Sequence, residues 1–269
     1  MIFLSCAKRA GIKTVATTRS WDNLSSHGAL LFEPDVFISH SQLMLDQLCK
    51  YHRISNNCDV VQQRVPWYQV EQIDRIRPKS VESMPEGFKI LYACTGPYHF
   101  PNEVQYIGQF FEIVKYRNMS MCVLQHPKSL HDLSLFPSDL VATSFPFIDD
   151  DGRSTLESYY RFINSFTVIV GSGSTVLLDA KFLGKPVVGF FPENLSLYWS
   201  SIARYADTME HYSQFLKRLE VPVALDVNKL VKLVSSPLVS KEMDQSSIKY
   251  FTGDDSASNF NLSKFISQN

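Results

Sequence analysis

The stretch that most constrains this chain is Ile169-Val-Gly-Ser-Gly-Ser-Thr-Val-Leu-Leu-Asp179, followed by Gly184-Lys-Pro-Val187. An apolar run ends abruptly in small residues, and a helix-forming segment begins at once. Gly184 and Pro186 then stop the helix, and a second apolar run, Val187 to Phe191, follows. This is a strand, a tight turn, a helix and another strand in some 25 residues. Strands that are near-continuously apolar and separated by helices form a parallel sheet covered on both faces. The feature thus commits this part of the chain to the α/β class.

The rest of the sequence repeats that alternation. Strands are expected at Lys13–Thr18, Val36–Ser39 and Asp59–Val61, with a helix over Ser41–Tyr51. Pro66 to Pro85 carries charge, three prolines and no apolar period, which suits a linker. Beyond it lie the strands Lys89–Cys94, Met121–Gln125, Leu140–Thr143 and Thr167–Val170. Glu103–Arg117 reads as an amphipathic helix with Val104, Ile107, Phe111 and Val114 on one face. Further helices are expected at Ser154–Asn164, Thr175–Leu183, Tyr212–Leu219, Val227–Val234 and Ser256–Ile266.

Composition excludes several classes. The 26 basic and 27 acidic residues leave a net charge of -1, without the surplus that nucleic-acid binding through bulk charge needs. No run approaches the ~20 apolar residues of a membrane span. Lys8 and Arg9 follow only a few apolar residues, so the N-terminus is no signal peptide. The five cysteines are widely spaced with no C-x-x-C pair, which fits a reducing, cytoplasmic setting and a filler role. Four N-x-S sequons, at Asn23, Asn118, Asn194 and Asn261, then read as chance matches. Asp149-Asp150-Asp151 lacks the spaced ligands of a calcium loop and reads as an exposed acidic turn. No metal site and no cofactor are expected.

Chemistry-bearing residues gather at strand ends. Ser172, Gly173, Ser174 and Thr175 precede and open a helix whose first amides lack partners and carry partial positive charge. They suit a diphosphate cradle, or equally a tight turn with a serine cap. No Walker lysine is present, and Val176 occupies the third glycine position of a dinucleotide fingerprint. Asp179, one turn on, could accept from a ribose or simply stabilise the helix dipole. Thr95-Gly96 and His126-Pro127 follow two other strands, so the three ends could form one crevice at the carboxyl edge of a sheet. In the first segment, Trp21, Asp22, Asn23, Ser25 and Ser26 also follow a strand. Asp22 could act as a general base there and the others could orient a sugar, unless the segment is only an Asx turn before a capped helix.

In this order, these segments resemble the clan of two-domain nucleotide-sugar glycosyltransferases with the GT-B fold. The nearest groups are bacterial surface-polysaccharide transferases and CDP-glycerol glycerophosphotransferases. Ser174-Thr-Val-Leu-Leu-Asp179 with Gly184-Lys-Pro-Val187 is similar to their S-S/T-V-x-x-D/E…G-K-P-V/I signature. His126-Pro127, Ser20-Trp-Asp-Asn-Leu-Ser-Ser-His-Gly28 and His211-Tyr212 also match, with His27 where lysine is usual.

The resemblance implies α/β architecture with two Rossmann-like domains, the N-terminal one incomplete. Residues 1–79 would be the last part of an acceptor-side domain plus linker, and 80–269 a nucleotide-donor domain. It implies a metal-independent glycosyltransferase with a nucleotide sugar as donor and a glycan or lipid-linked acceptor, membrane contact being peripheral. A sugar-nucleotide epimerase of the same fold and a nucleotide-binding inactive remnant are the alternatives. Asp22 and His126 would be catalytic. Thr95, Gly96, Ser172, Gly173, Ser174, Thr175 and Asp179 would bind the donor. Trp21, Asn23, Ser25 and Ser26 would face the acceptor. Two full domains need roughly 300–400 residues, so a chain of 269 residues is expected to lack the first strands of its N-terminal domain. An exposed apolar sheet edge would agree with that, and a fully covered sheet would not.

Overall fold

A computed structural model describes residues 2–18, 21, 23–26, 30, 32–52, 54, 58–62, 87–97, 99–127, 130–144, 156–192, 209–236 and 245–253. The chain divides into two compact units, Met1–Gln69 with Asp244–Asn269, and Val70–Met243.

The second unit is a six-stranded sheet in which every neighbouring pair is parallel. In chain order its elements are β4 (Lys89–Ala93), α4 (Glu103–Lys115), β5 (Ser120–Leu124), a 3-10 turn (Leu133–Leu135), β6 (Val141–Thr143), α5 (Leu156–Asn164), β7 (Val168–Gly171), α6 (Thr175–Phe182), β8 (Val187–Phe190), α7 (Glu210–Arg218), β9 (Val223–Ala224) and α8 (Val227–Ser235). The strands lie in the order β6-β5-β4-β7-β8-β9. The chain starts in the middle, winds outward through β5 and β6, then returns to the other side of β4 as β7. That reversal between β4 and β7 is the switch point at which doubly wound sheets bind ligands.

The near-continuous apolar strands follow from this topology. In β4 alternate residues face opposite sides. Ile90, Tyr92 and Cys94 enter one core with Val168, Val170, Val188 and Phe190, under α4 and α8. Leu91, Ala93 and Ile169 are equally buried on the other side, where α6 packs against β7 and β8. The α4 residues expected to face the core, Val104, Ile107, Phe111 and Val114, are all buried. The two-residue β9 was not expected from the sequence. It is too short to show a period, and it exists because β8 offers it a pairing edge.

The first unit contains α1 (Ile2–Arg9), β1 (Val15–Thr17), α2 (Asn23–Ser26), β2 (Val36–Ser39), α3 (Gln42–Tyr51) and β3 (Asp59–Gln62). Its sheet has the parallel order β1-β2-β3, with β1 half-buried to exposed at one edge. Ser41 caps α3 by accepting the Met44 amide at 3.2 Å. Leu24, Phe37, Met44, Leu48 and Cys58 form its core.

One expectation is corrected here. Everything after residue 80 was assigned to the second domain. Instead α9 (Gln245–Thr252) returns to the first unit and packs on α3. Phe251 meets the buried Trp21 edge-on, with ring centroids 6.1 Å apart, and the Tyr250 hydroxyl donates to Asp46 at 3.2 Å. Aromatic burial, which depends on tertiary partners rather than chain position, decides the assignment. The linker expected at Pro66–Pro85 and the helix expected at Ser256–Ile266 lie outside the described residues. Among the described residues, no helix is long and apolar enough to cross a membrane.

Candidate functional site

The register Ala93↔Gly171 brings the carboxyl ends of β4 and β7 side by side. A side chain at Gly171 would place its Cβ 2.7 Å from the Ala93 carbonyl oxygen, so only glycine allows this approach. Gly173 has φ +150, and a Cβ there would press against the Tyr212 ring at 3.4 Å. The Gly-Ser-Gly-Ser turn is therefore compressed between strand β4 and the start of α7. The His211 and Tyr212 rings lie 4.6 Å apart at that start.

Both readings of this turn have a physical basis. The Ser174 hydroxyl caps α6, accepting the Val176 amide at 3.3 Å. The amides of Gly173 and Ser174 make no hydrogen bond to another described residue, and they precede a helix with a positive N-terminal dipole. Those amides face an anion-sized approach at the start of α6, where Thr175 is exposed. Ser172 is different. It is 0% exposed, and its hydroxyl lies inward beside the Tyr92 hydroxyl, in a weak hydrogen bond rather than one of regular geometry. Its side chain meets the interior, not solvent.

Asp179 lies in α6 with its carboxylate buried. The Tyr159 hydroxyl of α5 donates to it at 2.6 Å. Burial pushes the Asp179 carboxyl up to about 7, against the opposing effect of the Tyr159 bond. The group is thus held near its titration point, with one oxygen engaged by Tyr159.

The turn after β4 is organised by a residue that sequence reasoning passed over. Glu103, at the first position of α4, is 0% exposed. Its carboxylate accepts the Thr95 amide at 3.0 Å and the Gly96 amide at 3.1 Å. It also pairs with His131 Nε2 at 2.9 Å, and His131 in turn donates its backbone N–H to the Gln125 side chain at 2.9 Å. Burying a carboxylate is costly unless such donors surround it. The amides of Thr95 and Gly96 are consequently committed to Glu103. The Thr95 hydroxyl is buried without a hydrogen bond to another described residue. In sequence Glu103 looked like an ordinary acid in the first turn of an amphipathic helix, and nothing marked His131.

Three donor atoms of kinds that metals take meet here. The Cys94, Glu103 and His131 ligand atoms all lie within 4.8 Å of one another, and all three residues are buried. Burial and the nearby Glu103 charge raise the Cys94 thiol well above its usual range. Tyr92 is raised likewise, by burial first and then by Glu103 and Cys94. Of the other expected residues, His126 sits just past β5 and is half-buried. His99, in the same turn as Gly96, is half-buried too, and burial lowers its pKa.

In the first unit, Trp21 is buried at 5% exposure, committed to the interior beside Phe251. Asn23, Ser25 and Ser26 form the one-turn helix α2, with Ser25 half-buried. Asp22, the side chains of Asn23 and Ser26, and the acidic turn at 149–151 lie outside the described residues. The strand ends of this unit also bring together Thr17 and His40, with Oγ1 and Nε2 2.7 Å apart. The Thr17 hydroxyl donates to the Ile38 carbonyl oxygen at 3.0 Å, so it accepts from the His40 ring.

No family model and no curated protein matches the chain. Among solved structures it is similar to the wall teichoic acid polymerase TagF, at 16% identity and a TM-score of 0.44, covering 87% of this chain and 57% of that one. It is similar to the UDP-GlcNAc 2-epimerase of Methanocaldococcus jannaschii, at 15% identity and 0.52, covering 99% and 73%. A Listeria monocytogenes protein described as a UDP-N-acetylglucosamine 2-epimerase gives 11% identity and 0.53, covering 93% and 66%. The chain thus spans little more than half the length of the TagF structure. These likenesses are of fold. The chain is mixed α/β with parallel Rossmann-like sheets, related at the level of fold to GT-B proteins.

Proposed function

We propose that the chain is a nucleotide-sugar enzyme of the glycosyltransferase type, with the donor diphosphate held at the β4–β7 switch point. The observation that carries this reading is the pair of unengaged amides at Gly173 and Ser174, placed by the strand order where α/β sheets bind ligands. Thr175 would add a hydroxyl, and Asp179 would accept from the ribose through the oxygen that Tyr159 leaves open. Fixed amides stabilise a leaving diphosphate as its charge develops, so departure needs no ion on the phosphates. His126 would lie near the transferred group. Asp22 would take the proton from the acceptor hydroxyl, with Asn23, Ser25 and Ser26 orienting that acceptor. Surface polysaccharide, or a related glycan or lipid-linked molecule, is the acceptor class this reading favours, in a cytoplasmic enzyme.

Epimerisation of a nucleotide sugar is the second reading. It is favoured by the TM-scores above 0.5 with structures of that description. An inactive, nucleotide-binding remnant is the third. Calorimetry with UDP, CDP and CMP tests the shared premise. Binding is expected for wild type and a loss of at least tenfold for Gly173→Val, whose side chain would fill the turn against Tyr212. Failure of all three nucleotides to bind overturns every reading. Product analysis with one nucleotide sugar and no acceptor separates the rest: an epimerised sugar supports the second reading, and transfer that requires an added acceptor supports the first.

A further inference from the structure

We propose that Cys94, Glu103 and His131 form an inward-facing binding site for one zinc-type divalent cation. The proposal rests on the chemistry and geometry of three donors, with two weakly bonded buried hydroxyls beside them, and it is independent of the nucleotide reading.

The donors are a thiol, a carboxylate and an imidazole, the three kinds that zinc accepts. Their ligand atoms lie within 4.8 Å of one another, and the residues are 1%, 0% and 6% exposed respectively. A thiolate and a carboxylate together balance a doubly charged ion, with the imidazole neutral. The complex would then bury no net charge, which is the condition for placing ions in an interior. One proton leaves, from the Cys94 thiol. The imidazole keeps its own by moving it to Nδ1, so that the Nε2 lone pair faces the metal.

The second observation concerns Tyr92 and Ser172. Both are 0% exposed, and neither hydroxyl makes a hydrogen bond of regular geometry to another described residue. Buried polar groups are otherwise nearly always well paired, so two weakly bonded hydroxyls in one place require a physical reason. Tyr92 lies two residues before Cys94, on the same face of β4. Its hydroxyl lies close to Cys94 and within weak hydrogen-bonding reach of Ser172 and Glu103. Ser172 follows Gly171, the register partner of Ala93, and so stands beside Cys94. A neutral thiol is a poor acceptor, whereas a metal-bound thiolate is a good one. Metal binding would therefore give both hydroxyls a stronger acceptor, as outer-shell donors to Cys94 sulfur.

The geometry requires a small adjustment. His131 Nε2 and Glu103 Oε2 are 2.9 Å apart. Two ligands about 2.0–2.2 Å from a tetrahedral zinc ion stand about 3.3 Å apart, so this pair must open slightly. Glu103 retains the Thr95 and Gly96 amides as orienting donors. His131 also lines a cavity of about 650 Å³ between α4 and residues 130–137, which brings an entry path as far as that ligand.

The test uses the full chain with Cys6→Ser and Cys49→Ser, which removes the two exposed thiols. After treatment with a chelator, the protein is dialysed against Zn²⁺ and its metal content measured. Cobalt substitution is followed by absorption. The expected result is about one zinc per chain, a thiolate-to-cobalt charge-transfer band, and loss of both in Cys94→Ala. Equal zinc content in folded wild type and Cys94→Ala overturns the proposal. Should Cys94→Ala not fold, the wild-type cobalt spectrum decides, because the absence of a thiolate band overturns it too. No uptake at all by wild type has the same consequence, and assigns the two hydroxyls to a buried water.

Discussion

At the scale of single residues, the local sequence and the surroundings of a side chain often disagree about its role, and Asp179 is the sharpest case. Four residues after Thr175, it looked equally like a ribose acceptor and a dipole-stabilising acid. Burial makes it instead a carboxyl titrating at about 7, bonded to Tyr159. The consequence for stability has a definite sign. The folded state keeps its proton where the unfolded chain, near 3.8, has lost it. The stabilisation is therefore fully present below about pH 4 and fades as pH rises towards 7, by at most about 4 kcal/mol. Asp179→Asn keeps an acceptor for Tyr159 and cannot ionise. Denaturant titration should find the variant more stable than wild type at pH 8 by about 2 kcal/mol or more, the advantage vanishing near pH 4. An equal difference at both pH values would show that the carboxyl is not held protonated. Ser172 teaches a related lesson. Its place beside two glycines suggested a ligand hydroxyl, yet the strand alternation turns it towards Tyr92 and the interior.

At the scale of elements, the β7–turn–α6 unit performs the task its sequence announced. Gly171 lets two strand ends meet, and Ser174 closes the first turn of the helix. Ser174→Ala removes one cap and should cost about 1 kcal/mol in thermal or chemical unfolding. It leaves the Gly173 and Ser174 amides in place, so nucleotide affinity should change less than threefold. A large loss of affinity with little loss of stability would instead make the Ser174 hydroxyl a direct ligand contact. The turn after β4 is built differently. Its Thr95 and Gly96 amides are satisfied by Glu103 from the following helix and the Thr95 hydroxyl is buried, so this strand end leaves neither amide open. Two neighbouring strand ends that looked alike in sequence thus offer opposite surfaces, because only one has a buried acid beneath it.

At the scale of the whole chain, the two units are each closed by different means. The second is contiguous, running from Val70 to Met243, and its six strands are sandwiched between helices. The first has only three described strands and recruits α9 from beyond residue 243. Phe251→Ala should therefore weaken the first unit alone, by about 3–5 kcal/mol if its cavity does not collapse. Hydrogen exchange should show protection falling in α3 and persisting in β4 and β7. Equal losses in both units would mean that they unfold as one. The sequence by itself determined the class, most strand and helix spans of the second unit, and the location of the tight glycine-serine turn before α6. Apolar period, glycines and caps act over a few residues, and short-range sterics suffice to read them. The strand order, the return of α9, the inward turn of Ser172 and the meeting of Cys94, Glu103 and His131 were decided only by the tertiary structure. Each depends on groups far apart in the chain, brought together because burying apolar surface leaves every buried charge and hydroxyl to find its partner in space.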